Sequence, residues 1–119
     1  MPDVSAKYQL EERTAKFGEA VIVFCSATKL TPISRPLVDQ LIRSSTSIGA
    51  NYMEANGASS RKDFRNKIHI CKKEAQETQH WLRMMGAAMP EKKDDLRTLW
   101  QECHELVLIF QKITTTLRQ

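Results

Sequence analysis

The two residue types that most often interrupt helices are scarce, with four prolines and four glycines in 119 residues. Long uninterrupted segments lie between them, so long helices are expected. No segment alternates apolar and polar residues with the period of two that marks a half-buried strand. Cysteine is limited to Cys25, Cys71 and Cys103, an odd number with no CxxC pair. That spacing supports neither a zinc site nor a thioredoxin-like motif, and small core residues in a reducing compartment are the reading instead. Long apolar runs are also missing. The longest, Ala20–Cys25, is far too short to span a bilayer, and the first residues carry no basic and apolar leader. A soluble, cytoplasmic protein without membrane association is the expectation.

Excess charge is modest at +4, but it is concentrated. From Arg61 to Arg83 there are seven Lys or Arg against three Asp or Glu, and outside that segment eleven cations balance eleven acids. The length suits one domain, residues 1–119, able to bury a core without disulfides or metals.

Apolar residues recur at alternating spacings of four and three. The first helix, about 6–30, presents Leu10, Thr14, Phe17, Val21, Phe24 and Thr28 before Thr31-Pro32 ends it. The second, about 35–57, presents Val38, Leu41, Ser45, Ile48, Tyr52 and Ala55, with Ser34 placed to cap it and Pro36 in its first turn. The third, about 60–88, presents Phe64, Ile68, Cys71, Ala75, Thr78, Leu82 and Met85, and Ser60 with Asp63 reads as a capping box. The fourth, about 91–117, presents Leu96, Leu99, Cys103, Leu106, Phe110, Ile113 and Leu117. Four such helices with short connections predict an all-α, antiparallel up-down-up-down four-helix bundle.

The middle of the second helix is unusual. Ser44, Ser45, Thr46, Ser47, Gly49 and Ala50 leave it almost without bulk, and Gly49 costs about 1 kcal/mol of helix propensity against alanine. Tight packing of a thin helix can offset that loss. A poor, solvated helix is the alternative, against which Ile48, Tyr52 and Met53 all call for burial.

AVIVFC (20–25) and LVLIF (106–110) send large side chains in every direction, while one bundle core covers one stripe per helix. A second apolar set on the third helix includes Ile70, Trp81, Met84 and Ala88. Together these predict a homo-oligomer with Ile70, Trp81, Met84, Val107 and Ile109 at its interface.

Glu77 and His80 have the Glu-x-x-His spacing of di-iron bundles. A second copy is missing, and both point away from the core seam. Cys103 and His104 face different directions as sequence neighbours on a helix, and Gly49 and Gly57 follow no strand as a phosphate loop would. No enzyme, cofactor or metal is expected. Opposite the core seam of the third helix run Lys62, Arg65, His69, Lys73, Gln76, His80 and Arg83, with Lys72 beside them. That stripe can follow a phosphate backbone, although a charged helix face is also the ordinary solvated surface of a soluble protein.

Residues 37–82, LVDQLIRSSTSIGANYMEANGASSRKDFRNKIHICKKEAQETQHWL, resemble the four-helix-bundle family encoded in intervening sequences of bacterial 23S ribosomal RNA genes, also called S23 ribosomal proteins. The matching elements are Arg43, the run Thr46 to Asn51, Glu54-Ala55, Ser60, Asp63-Phe64, Lys67, Lys73-Glu74, Glu77-Thr78 and Trp81-Leu82. Tyr52-Met53 departs from the aliphatic pair expected there. The resemblance implies a homopentameric ring of four-helix bundles. The chain is also similar to the accessory protein of diversity-generating retroelements, which implies nucleic acid as a partner. The ribosomal label implies no place in the ribosome.

Within the matching stretch, Arg43, Ser47, Asn51 and Glu54 stand on one side of the second helix. They are expected to form a polar strip facing Lys67 or Glu74 and fixing helix register. The alternative puts Arg43 on a nucleic-acid surface. The leading expectation is a non-enzymatic, oligomeric RNA- or DNA-binding protein. The runner-up is a homo-oligomeric scaffold for a protein partner.

Overall fold

The computed structural model describes residues 9–118, which form four helices: α1 (Leu10–Ser26), α2 (Ser34–Asn56), α3 (Arg61–Ala88) and α4 (Lys93–Arg118). A short 3-10 turn, Pro90–Lys92, leads into α4. No strand occurs among the described residues, and no helix there is long and apolar enough to cross a membrane. The expected start of the first helix at Ala6 lies outside the described residues.

Pairs between helices give their directions. Thr14 and Gly18 on α1 approach Gly49 and Ser45 on α2, and Arg43 and Glu54 on α2 reach Glu77 and Lys67 on α3. Lys72 and Gln79 on α3 meet Gln111 and His104 on α4. In each case the numbers run opposite ways, so each helix is antiparallel to the next. Arg13 closes the bundle by gripping Glu102 with Nε and Nη2, both at 2.8 Å. The 28 residues of α3 give roughly 42 Å at about 1.5 Å each, and the long dimension of the molecule is 45 Å.

All seven seam residues of α3 are buried, as are the expected seams of α2 and α4. Tyr52 and Phe110 meet in this core with ring centroids 6.4 Å apart. Cys71 and Cys103 lie in the same core, where burial pushes both thiols up to about 12, and Cys25 up to about 11. In α1 the seam departs from expectation after Val21. Cys25 is buried and Phe24 only half-buried, because a straight helix drifts about 20° per heptad from strict seven-residue spacing. The same drift widens the α4 seam to take in Val107, which is 8% exposed. Val107 therefore packs within the chain and does not stand on the outside as expected; Leu108 does, at 54% exposure. Met53, expected to be buried, is 64% exposed.

α1 ends four residues earlier than expected. Pro32 disfavours a helical Thr31, and the last turn closes through Ala27 N–H to Val23 O and Thr28 N–H to Cys25 O. Thr31, not Ser34, then caps α2: its Oγ1 accepts from Ile33 N at 3.2 Å and Ser34 N at 3.0 Å. Ser34 is buried inside the first turn and donates to Lys29 O. α3 opens as predicted, with Asp63 N–H donating to Ser60 Oγ at 3.0 Å. The carboxylate of Asp63 accepts in return from Ser59 N.

The thin middle of α2 is where α1 packs. A Cβ added at Gly49 would lie 3.2 Å from Thr14 Oγ1, and one at Gly18 would lie 3.8 Å from Ser45 O. The serine and threonine hydroxyls are satisfied locally, Thr46 to Ile42 O and Ser47 to Arg43 O. Buried Ser44 is hydrogen-bonded at 2.9 Å to Thr78 of α3.

Candidate nucleic-acid interface

α3 carries three acids, and each has a partner outside its basic stripe. Asp63 belongs to the helix cap. Glu74 and Glu77 face α2, where Arg43 Nη1 lies 3.5 Å from Glu74 and Arg43 Nη2 is hydrogen-bonded to Glu77. Trp81 Nε1 donates to the same Glu77 carboxylate at 3.3 Å. Desolvation works to raise the pKa of Glu77, but the bonds from Arg43 and Trp81 outweigh it and hold the carboxyl below its usual range. Lys67 and Glu54 form a second link further along, at 3.9 Å. Between these two links Ser47 donates to Arg43 O and Asn51 donates to Ser47 O, so both use their side chains on α2 itself. The polar strip joins the two helices at its ends, and Arg43 faces Glu74 and Glu77 there.

With Glu74 and Glu77 turned to α2, the opposite side of α3 keeps its cations. Lys62, Lys73, His80 and Arg83 are exposed, while Arg65, His69 and Lys72 are half-buried. Among the described residues none of Lys62, Arg65, Lys72, Lys73 and Arg83 is in a salt bridge. Lys72 reaches across to Gln111 of α4. Lys73 lies close enough to Glu77 to help hold its carboxyl ionised, so its charge is partly offset. His80 sits edge-on to Trp81 at 4.9 Å, while Glu77 bonds Arg43. Among the described residues no three His, Cys, Asp or Glu side chains come together as a metal site would need.

The stripe continues onto α4. Arg83 shares a groove of about 580 Å³ with Lys93, Arg97 and Gln101; its apolar lining is Leu82, Leu96 and Trp100, and Gly86 leaves it open. Trp100 is 39% exposed and its ring stacks on His104, centroids 5.0 Å apart and planes 11° apart. His104 Nδ1 is in turn 3.2 Å from Gln79 Nε2 of α3. Lys93 and Arg97 are likewise in no salt bridge among the described residues. Asp95 stands on the other flank of α4, in the α1–α4 groove with Lys92 and Val23. Sequence reasoning missed Lys93, Arg97 and Trp100. Their four- and three-residue spacing, continued by His104, is a helical stripe in its own right; the apolar seam of α4 drew attention from it.

The expected outer apolar set divides. Ile70 is exposed, Trp81, Met84 and Ile109 are half-buried, and Val107 belongs to the core. Ile22, Val23 and Leu108 add exposed apolar surface on α1 and α4.

Four antiparallel helices with one basic, aromatic-edged side define a helical-bundle protein. The chain belongs to the family of 23S rRNA-intervening sequence proteins, which it matches over residues 9–112. A crystal structure of a protein with unknown function from the S23 ribosomal protein family of Bacteroides thetaiotaomicron is similar to it. The TM-score is 0.78 and the identity 28%, over 88% of this chain and 97% of that one. No curated protein matches the chain.

Proposed function

We propose that the chain is a non-enzymatic nucleic-acid-binding protein that works in the cytoplasm as a homo-oligomer, with the α3–α4 face as its contact surface. The observation that carries this reading is the sorting of charge on α3: its acids serve the cap and Arg43, while Lys62, Arg65, Lys72, Lys73 and Arg83 form no salt bridge among the described residues, Lys73 being partly offset by Glu77, and continue into Lys93 and Arg97. Cations released from internal pairing are free to displace counterions from phosphates. Single-sided placement aims them at one ligand.

Apolar surface on α1 and α4 supports self-association, since Val23 is 69% exposed beside Ile22, and Leu108 is exposed on α4. A ring of five, implied by the family resemblance, would repeat the basic face and multiply weak contacts. Light scattering should then return five times the chain mass of 13.7 kDa. The same exposed side chains suit the second reading, a scaffold for a protein partner.

Salt separates the two. Binding of labelled RNA to nuclease-treated protein should weaken linearly in log–log against salt, and Lys62→Glu with Lys73→Glu should lower the slope by about 2. A scaffold binds no nucleic acid saturably at low salt.

A further inference from the structure

We propose that the groove between α3 and α4 receives an unpaired base, so that the protein prefers single-stranded nucleic acid to duplex. This rests on the nucleic-acid reading and adds to it the class of strand. The groove has a volume of about 580 Å³, within the roughly 300–1,000 Å³ typical of clefts that enclose small ligands. Its apolar wall is Leu82, Leu96 and the Trp100 ring, and its cations are Arg83, Lys93 and Arg97. An aromatic plane among three cations is complementary to a base with its phosphate. An acidic peptide without an aromatic side chain would meet the cations and leave the ring unused.

The parts are held ready. Stacking on His104, itself beside Gln79, fixes the Trp100 ring while leaving it 39% exposed. Gly86 keeps the opposite wall open, since a Cβ built there meets nothing within 4 Å. A duplex keeps its bases stacked inside and presents phosphates, so it can use the cations but not the ring. An unpaired strand uses both, and base–aromatic stacking tolerates any base.

The test uses the full chain with a fluorescein-labelled 20-nucleotide oligouridine and a mixed-sequence RNA duplex of the same length, at one low salt concentration. The wild type should bind the single strand more tightly. Gly86→Leu, which fills the groove, and Trp100→Leu should each weaken single-strand binding roughly 5- to 150-fold while leaving duplex binding and oligomer mass unchanged. Tryptophan emission should be quenched by the oligouridine in the wild type and not in Trp100→Leu, where Trp81 alone remains. Equal affinity for both probes, with Gly86→Leu binding like wild type, overturns the base site and leaves the basic face standing. A change in oligomer mass in Gly86→Leu also overturns it, because the groove is then a subunit interface. Absence of binding to either probe overturns both readings.

Discussion

Gly49 and Gly86 lie inside α2 and α3 respectively, so each costs about 1 kcal/mol of helix propensity against alanine. Replacing either by alanine should recover that amount if nothing else changed. Their surroundings differ. At Gly86 the new Cβ meets nothing within 4 Å, so Gly86→Ala should stabilise by about 0.5–1 kcal/mol. At Gly49 it would lie 3.2 Å from Thr14 Oγ1 and 3.5 Å from Thr14 Cβ. Thr14 is 2% exposed and its hydroxyl is bonded to Leu10 O at 2.6 Å, so it can yield only by moving α1. Such overpacking costs typically 1–3 kcal/mol, which turns the gain into a net loss of about 0–2 kcal/mol. Urea unfolding followed by helical circular dichroism, at one protein concentration because assembly couples to stability, measures both. The two variants should differ by about 0.5–3 kcal/mol in favour of Gly86→Ala. Equal stabilisation would refute the claim that the thin middle of α2 exists to seat α1.

Three further outcomes follow from the site and core. Glu77 has its pKa lowered in the folded state, so the stability it contributes is present above the ordinary carboxylate range near 4.3 and is lost as pH falls through the folded value. Glu77→Gln should therefore flatten the fall in urea midpoint between about pH 5 and pH 3. Arg43 is turned to Glu74 and Glu77, so Arg43→Ala should cost no more than about 1 kcal/mol and, by releasing those two carboxylates, weaken RNA binding less than Arg83→Ala does. Burial holds the thiols of Cys71 and Cys103 at about 12 and Cys25 at about 11, so at pH 8 a thiol reagent should label the native protein slowly and all three cysteines rapidly in denaturant.

The bundle was legible because helix-period burial is a local signal. Phe64 to Met85 could be read off α3 residue by residue, and all seven positions are buried. What was illegible came from neighbours. Thr31 took the cap from Ser34 because Pro32 keeps Thr31 out of helical geometry and its hydroxyl turns to Ile33 N and Ser34 N. Cys25 replaced Phe24, and Val107 joined Leu106, once real helices drifted from strict heptads. The α3 stripe was visible as a run of cations. Its lack of salt bridges among the described residues was not, since Glu74 and Glu77 pair instead with Arg43, 31 and 34 residues away in sequence. Trp100 and Arg97 acquired meaning only when α4 was laid beside Gly86.

The measurement that bears most directly on the basic face is the affinity of nucleic-acid-free protein for labelled single-stranded RNA, duplex RNA and duplex DNA across a salt series. Saturable binding whose logarithm falls linearly with log salt, with a shallower slope in Lys62→Glu plus Lys73→Glu of unchanged helicity, is the predicted result. No saturable binding to any of the three at low salt would contradict it and leave the exposed apolar surface, with a protein partner, as the functional one.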